Sequence, residues 1–129
     1  MARILIVEDN PDNLKLFRAL LNLRGHEVTA LVSGDGLLET LGQTQPELVL
    51  MDIQLPGKDG FELLTEIRGS AWSKLPVVAL SAHAMAGDEA RALAAGFDGY
   101  ITKPIEISAF PGQVDGALAG RRANTREAH

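Results

Sequence analysis

Short, mostly apolar runs alternate with longer amphipathic stretches along this chain. The runs are Ile4–Val7, Glu27–Val32, Leu48–Met51, Val77–Leu80 and Gly99–Thr102. Their aliphatic character is typical of parallel strands that are buried on both faces, and the stretches between them have the spacing of surface helices. The pattern therefore predicts an α/β fold, in which a five-stranded parallel sheet carries helices on both faces.

The amphipathic stretches contain residues that begin and end helices. Asn10 and Pro11 mark the first start, because asparagine caps free N–H groups and proline suits the first helical turn. Asp59 is placed to cap the third helix. We predict helices over about 11–24, 35–42, 61–67, 88–95 and 108–119. Residues 1–120 then form one domain, and the weakly patterned residues 121–129 are predicted to be a disordered C-terminal tail.

The composition of the 129 residues narrows the function classes. The net charge is −5, from 17 acidic and 12 basic residues, so direct binding of nucleic acid is disfavoured. No cysteine is present, which excludes disulfides, thiol nucleophiles and cysteine-based zinc sites. The apolar runs are too short for a signal peptide or a membrane span, so we expect a cytoplasmic protein without membrane association.

Residues suited to phosphoryl chemistry follow four of the five predicted strands. Glu8 and Asp9 follow the first strand, and Asp52 follows the third. Ser81 follows the fourth strand, and Lys103 follows the fifth. Parallel strands end at one edge of their sheet, where open α/β sheets bind ligands. Three carboxylates repel each other there unless a hard cation lies among them, so the sequence predicts a magnesium site.

Asp52 is the candidate nucleophile of this site. It directly follows a buried strand and precedes a Pro-Gly loop, which we expect to leave its carboxylate exposed and unpaired. Magnesium, the Lys103 ammonium and the Ser81 hydroxyl can together stabilise the charge of a phosphoryl group on Asp52. Taken singly, Asp52 could be a turn residue, Ser81 a helix cap and Lys103 a solvated surface charge. Their arrival at one sheet edge favours the joint site.

Four ordered motifs carry a resemblance to a known family. They are residues 4–10 (ILIVEDN), 51–57 (MDIQLPG), 79–82 (ALSA) and 100–105 (YITKPI). On these motifs, the stretch from residue 3 to about residue 119 resembles the receiver domain of a two-component response regulator. That family includes the single-domain chemotaxis and cell-division regulators. The resemblance implies a doubly wound, flavodoxin-like fold with strand order 2-1-3-4-5.

The resemblance also implies a role for each site residue. Asp52 would accept a phosphoryl group from a phosphohistidine on a sensor histidine kinase or a histidine phosphotransfer protein. Asp9, Asp52 and the backbone carbonyl of Gln54 would bind Mg²⁺, for which Mn²⁺ can substitute. Glu8 would act through metal-bound water, and Lys103 would contact the phosphoryl group.

A conformational switch is implied as well. Ser81 would turn toward the phosphoryl oxygens, and Tyr100 would swing inward behind it. A downstream protein would then recognise the face formed by the fourth helix, the fifth strand and the fifth helix. The protein would be a monomer or a weak, phosphorylation-dependent dimer. A cis peptide bond between Lys103 and Pro104 is implied too.

Two side chains are candidates for setting the lifetime of the phosphoryl group. Gln54 and His83 lie two positions beyond Asp52 and Ser81, where a side chain can admit, orient or block the hydrolytic water. We expect His83 to crowd that water and slow the hydrolysis.

Three alternatives stand beside a stand-alone receiver. An aspartyl-phosphate hydrolase would have a second acid two residues after its nucleophile, where this chain has Gln54. A flavin or nucleotide carrier would need a phosphate-binding loop after the first strand, where Glu8 and Asp9 repel phosphate. The third is a receiver excised from a hybrid histidine kinase. We expect a stand-alone protein, because the first strand lies close to Met1 and the pattern after residue 120 is weak. We also expect it to catalyse only its own phosphorylation and dephosphorylation.

Overall fold

The strands occupy five short segments of the computed structural model, which describes residues 2–55, 57–82 and 87–127. They are β1 (Arg3–Val7), β2 (Glu27–Leu31), β3 (Leu48–Asp52), β4 (Val77–Ser81) and β5 (Gly99–Thr102). Neighbouring strands all pair in parallel, in the order β2-β1-β3-β4-β5. The predicted parallel sheet and its strand order are therefore confirmed.

Five helices complete the described part of the fold. They are α1 (Pro11–Leu23), α2 (Leu37–Thr44), α3 (Gly60–Arg68), α4 (Asp88–Ala95) and α5 (Phe110–Glu127). The Asn10 side chain caps α1 by accepting hydrogen bonds from two backbone N–H groups at 2.9 and 3.1 Å. The Asp59 side chain caps α3 by accepting one from the N–H of Glu62 at 3.0 Å. Both predicted caps are confirmed, and α4 has the predicted bounds.

Two helices differ from their predicted bounds by two residues or more at each end, whereas α1 and α3 differ by at most one residue at either end. α2 begins at Leu37 rather than near residue 35, because Gly36 has a φ of 74°, a left-handed conformation that cannot belong to the helix. α5 continues to Glu127, so its predicted end near residue 119 is wrong. Gly120 costs only about 1 kcal/mol inside a helix, and the following residues include alanine, arginine and glutamate, which favour helix. The disordered tail at 121–129 stays a prediction.

Adjacent residues of the central strands enter two separate cores. Leu5 of β1 belongs to a cluster with α2, α3 and α4, whereas Ile6 belongs to a cluster with α1 and α5. In the second cluster, the rings of Phe17 and Phe110 stack with their centroids 5.3 Å apart. Because side chains alternate across a sheet, burial on both faces explains why the strands have continuous apolar sequences.

The strand register brings the carboxyl ends of the strands level. Val7 of β1 lies beside Met51 of β3, and Ser81 of β4 lies beside Thr102 of β5. The peptide bond between Lys103 and Pro104 is cis, as the resemblance implied. The residues that end or follow β1, β3, β4 and β5 therefore meet at one edge of the sheet.

The described helices give no sign of a membrane span. None of them combines the length and the apolar character that crossing a bilayer requires. The cytoplasmic location stays a prediction.

Candidate functional site

Three carboxylates converge at the carboxyl edge of the sheet. Glu8 and Asp9 follow β1, and Asp52 ends β3. Each offers an oxygen, and these three oxygens all lie within 4.8 Å of one another. The predicted convergence of these acids is therefore present in the structure, although Asp52 is far from Glu8 and Asp9 in the sequence.

Asp52 is buried and paired, with only 2% of its surface exposed. Its Oδ2 atom accepts a hydrogen bond from Lys103 Nζ at 2.9 Å, and its Oδ1 atom accepts one from the backbone N–H of Gln54 at 2.8 Å. The prediction that this carboxylate is exposed and unpaired is wrong. Asp52 belongs to β3 itself, and its ammonium partner is the residue directly after β5, a contact that the local sequence cannot reveal.

Lys103 joins two carboxylates. Its Nζ atom lies 2.8 Å from Glu8 Oε1 and 2.9 Å from Asp52 Oδ2. Its backbone N–H donates to the carbonyl of Ser81 at 2.7 Å, which fixes the start of the loop after β5. Burial alone would lower the pKa of Lys103, but the hydrogen bonds and charges of the two carboxylates outweigh it and hold that pKa above its usual value. The ammonium is therefore charged at neutral pH.

Glu8 is the most buried acid of the site, with no exposed surface. Its Oε1 atom accepts from Lys103, and its Oε2 atom accepts from the backbone N–H of Asn10 at 3.2 Å. Burial raises the pKa of Glu8, and the neighbouring Asp52 carboxyl raises it further, against the lowering effect of Lys103. One ammonium therefore does not fully compensate the negative charge that is gathered here.

The donor set fits a hard divalent cation. Carboxylate oxygens are the preferred protein ligands of Mg²⁺, and this cluster has more carboxylates than the Lys103 ammonium can neutralise. Asp9 is exposed, so the cluster is open to solvent on its side. The Gln54 carbonyl belongs to the loop that begins directly after Asp52, and its ligand role stays a prediction.

Ser81 and Tyr100 lie where the sequence predicted, on the strands next to the acids. Ser81 is buried at the end of β4, beside the strand that carries Asp52. Tyr100 is partly buried on β5 and packs against the core cluster that contains α2, α3 and α4. Their roles in a switch stay predictions.

The two candidates for tuning phosphoryl lifetime differ in what the structure describes. Gln54 is exposed, and its side-chain Oε1 atom accepts a long hydrogen bond of 3.4 Å from the backbone N–H of Ala82. Its side chain therefore bridges the loops that follow β3 and β4. His83 lies outside the described residues, so its role also stays a prediction.

Gly60 is a structural requirement of the site that the sequence reasoning missed. A Cβ atom at this position would lie 2.6 Å from the Cα of Ile53 and 2.9 Å from the carbonyl oxygen of Asp52. Only glycine therefore allows the first turn of α3 to touch the backbone that follows the nucleophile candidate. A glycine directly after the helix cap Asp59 was the available signal, since a helix start does not otherwise require one.

Comparison with known proteins agrees with this site. The model of the response regulator receiver domain family matches residues 4–115. The chain is 41% identical over 108 residues to the polar-differentiation response regulator DivK of Brucella ovis, covering 83% of this chain and 88% of DivK. It is 46% identical over 109 residues to the sensor protein GacS of Pseudomonas syringae pv. syringae, covering 80% of this chain but only 12% of GacS.

A solved structure has the same architecture. The receiver domain of a sensor histidine kinase from Pseudomonas aeruginosa, which has a magnesium ion coordinated in its active site cleft, superimposes with a TM-score of 0.82 and 31% identity. The match covers 92% of this chain and 98% of that domain. By its sequence motifs, its strand order and its acidic cluster, the chain belongs to the family of response regulator receiver domains.

Proposed function

We propose that this chain receives a phosphoryl group on Asp52 from a phosphohistidine of a sensor histidine kinase or a histidine phosphotransfer protein. In this reaction an Asp52 oxygen forms a bond to phosphorus, the bond from phosphorus to the imidazole nitrogen breaks, and the imidazole leaves with a proton. The observation that carries the proposal is the Lys103 ammonium at 2.9 Å from Asp52 within a cluster of three carboxylates.

The residues around Asp52 suit the charge of that transfer. The Lys103 ammonium already touches one Asp52 oxygen, so it is placed to stabilise charge on a phosphoryl group attached there. The Ser81 hydroxyl, on the adjacent strand, is the second donor that we assign to the phosphoryl oxygens. When bound by Asp9, Asp52 and the Gln54 carbonyl, with Glu8 acting through water, Mg²⁺ would offset the remaining negative charge.

The proposed activity is limited to the chain's own phosphorylation and dephosphorylation. An aspartyl-phosphate hydrolase on this kind of sheet has a second acid two residues after its nucleophile to act on the leaving group, and Gln54 at that position cannot protonate it. The output is then a protein contact at the face formed by α4, β5 and α5. Tyr100 lies on this face, and we assign it and Ser81 to the switch that changes the face after phosphorylation.

The proposal is tested by phosphorylation of the purified chain. The chain is incubated with Mg²⁺ and either acetyl phosphate or a phosphorylated histidine phosphotransfer protein, and intact-mass spectrometry counts the phosphoryl groups. We expect one group on the wild type, none on Asp52→Asn, and one on the control Asp35→Asn, which removes an exposed acid outside the cluster. A phosphoryl group on Asp52→Asn, or none on the wild type, would contradict the assignment.

A receiver within a hybrid sensor kinase is the second candidate. The 46% identity to a segment of GacS favours it, because that segment is 12% of a much longer protein. The two candidates differ in their phosphodonor, since a hybrid kinase phosphorylates its own receiver. Faster transfer from an isolated kinase core than from phosphotransfer proteins would favour this candidate over a stand-alone regulator.

A further inference from the structure

The C-terminal end of α4 is tied firmly to the rest of the protein. The carbonyl of Gly96 accepts a hydrogen bond from Arg68 Nη2 at 2.8 Å, and the same nitrogen donates to Asp98 Oδ2 at 2.8 Å. Arg68 Nη1 donates to the carbonyls of Ser73 and Leu75 at 3.1 and 2.6 Å. One guanidinium therefore connects the end of α3, the loop before β4, the end of α4 and the start of β5.

This anchor is itself fixed to the sheet. Asp98 Oδ2 also accepts from the backbone N–H of Val77 at 2.9 Å, and the Asp98 N–H donates to the Val77 carbonyl at 2.8 Å. Phe97, between the anchor residues Gly96 and Asp98, is buried in the core. The end of α4 therefore cannot move without disturbing the first residues of β4 and β5.

Among the described residues, fewer hydrogen bonds tie the N-terminal half of α4 to other elements. Its capping position is Gly87, with a φ of 91°, and no side chain caps the first turn. This half of α4 contacts α3 through a cation–π interaction, in which the Arg91 guanidinium carbon lies 4.4 Å from the centre of the Phe61 ring. Arg91 is exposed, and such contacts are weak at exposed positions.

A cavity gives this half of the helix room to move. It has a volume of about 270 Å³ and lies between Asp59 and Phe61 on one side and Asp88 and Arg91 on the other. It extends to Ser81 at the phosphoryl site. A change in the angle of α4 would therefore change the space directly beside Ser81.

We propose that α4 turns about the Arg68 anchor, and that the Arg91–Phe61 contact holds its N-terminal half in the observed position. Loss of this contact lets the first turn of α4 move while Gly96 stays in place. The movement changes the cavity beside Ser81, which makes Arg91 and Phe61 positioning residues for the site. The inference goes beyond the proposed function, because the contact acts before any phosphoryl group is present.

The two ends of α4 must then move by different amounts. Position 95 is next to the anchor residue Gly96, whereas position 89 lies about two helical turns before it. Measured along the helix axis, position 89 lies about seven times as far from Gly96 as position 95 does, so rotation about Gly96 displaces the helix axis more at position 89.

Distances between spin labels test this motion directly. The chain has no cysteine, so labels attach only at introduced ones. Asn22→Cys on the exposed face of α1 is the reference, paired with Glu89→Cys or Ala95→Cys, both exposed on α4. Pulsed electron paramagnetic resonance is recorded without Mg²⁺ and without a phosphodonor, so a failure of the proposed phosphorylation does not affect the result. Arg91→Ala should shift or broaden the 22–89 distance and leave the 22–95 distance nearly unchanged.

Matched variants separate the anchor from the contact. Arg91→Lys, which keeps a cation over the ring, should restore the wild-type 22–89 distance. Adding Arg68→Ala to Arg91→Ala should move position 95 as well. An unchanged 22–89 distance in Arg91→Ala would overturn the role of the contact. Equal shifts at positions 89 and 95 with Arg68 intact would overturn the pivot.

Discussion

Two ionic networks at opposite edges of the sheet differ in how their charges balance. At the carboxyl edge, the Lys103 ammonium forms ion pairs with the buried carboxylates of Glu8 and Asp52, and the carboxylate of Asp9 lies beside them. At the amino edge, the guanidinium of Arg68 meets the single carboxylate of Asp98 and three backbone carbonyls. The first network has surplus negative charge, whereas the second is balanced and rich in hydrogen bonds.

The difference indicates what each edge contributes. A balanced network with many hydrogen bonds stabilises the arrangement of elements around it. Buried carboxylates that share one cation lower the stability of the metal-free fold, but they leave a surplus of negative charge that a bound metal cation can offset. We therefore expect substitutions at the amino edge to affect stability, and substitutions at the carboxyl edge to affect chemistry first.

Lys103→Ala should give the largest effect on both the free energy of unfolding and the phosphorylation rate. It leaves Glu8 and Asp52 buried without their cation, so the free energy of unfolding should fall by about 2–3 kcal/mol in urea denaturation at neutral pH without metal. The phosphorylation rate should fall at least about a hundredfold, because a donor to the phosphoryl group is lost. Lys74→Ala, which removes an exposed lysine, is the control. A rate within a few-fold of wild type would refute the role of Lys103.

Arg68→Ala should lower stability without slowing phosphorylation. It removes the hydrogen bonds that hold Gly96 and Asp98, so the free energy of unfolding should fall by about 1–2 kcal/mol. The phosphorylation rate should stay close to wild type, because Arg68 does not belong to the acidic cluster. Arg68→Lys should not rescue stability, since an ammonium cannot reproduce the planar set of donors. A large loss of phosphorylation at unchanged stability would show that the two edges are not separate in function.

Glu8→Gln tests the surplus charge itself. Because burial raises the pKa of Glu8, the folded protein binds this proton more tightly than the unfolded chain does. Stability that depends on this proton is present at low pH and is lost as the pH rises from the usual range of a glutamate carboxyl to the raised pKa. Glu8→Gln should therefore raise the free energy of unfolding at neutral pH by about 1 kcal/mol in EDTA.

The gain from Glu8→Gln should disappear as the pH falls below the usual glutamate range, where Glu8 is protonated in both states. Urea denaturation across the acidic range measures this, with Glu47→Gln at a half-buried position as the control. A variant less stable than wild type at neutral pH would mean that the Lys103 contact outweighs the burial of the charge.

Lys58→Ala should have the smallest effect, although its ion pair with Glu66 is the shortest of those compared, at 2.6 Å. Lys58 is exposed, so water and salt screen the pair. We expect no measurable change in the urea midpoint at physiological salt. A clear loss of stability at physiological salt would mean that the contribution of an ion pair to stability depends on its N···O distance rather than on its burial and on the balance of charges around it.

Local signals in the sequence predicted much of the fold. The caps at Asn10 and Asp59 and the bounds of α4 follow from residues within a few positions of each helix end, and all are confirmed. The start of α2 was predicted two residues early, because the left-handed conformation of Gly36 depends on the path of the loop rather than on the helical pattern. The end of α5 was wrong because one glycine is a weak stop signal.

Long-range contacts explain what the sequence could not provide at the site. The convergence of the acids at one edge of the sheet follows from the strand order, and the sequence motifs were enough to predict that order. The pairing of Lys103 with Glu8 and Asp52 joins residues that are 95 and 51 positions apart, and no local pattern encodes it. The Arg68 contacts with Gly96 and Asp98 went unnoticed for the same reason, since an arginine at the end of a helix has many ordinary explanations.

The close approach at Gly60 has a mechanical consequence. A Cβ atom there would lie 2.6 Å from the Cα of Ile53, so the first turn of α3 and the peptide after Asp52 have no clearance between them. Two backbone segments in such close contact move together. A partner that pushes the first turn of α3 toward the sheet by the width of a methyl group therefore also displaces the backbone next to Asp52. Contacts on the outer surface of α3 can in this way change the geometry of the site.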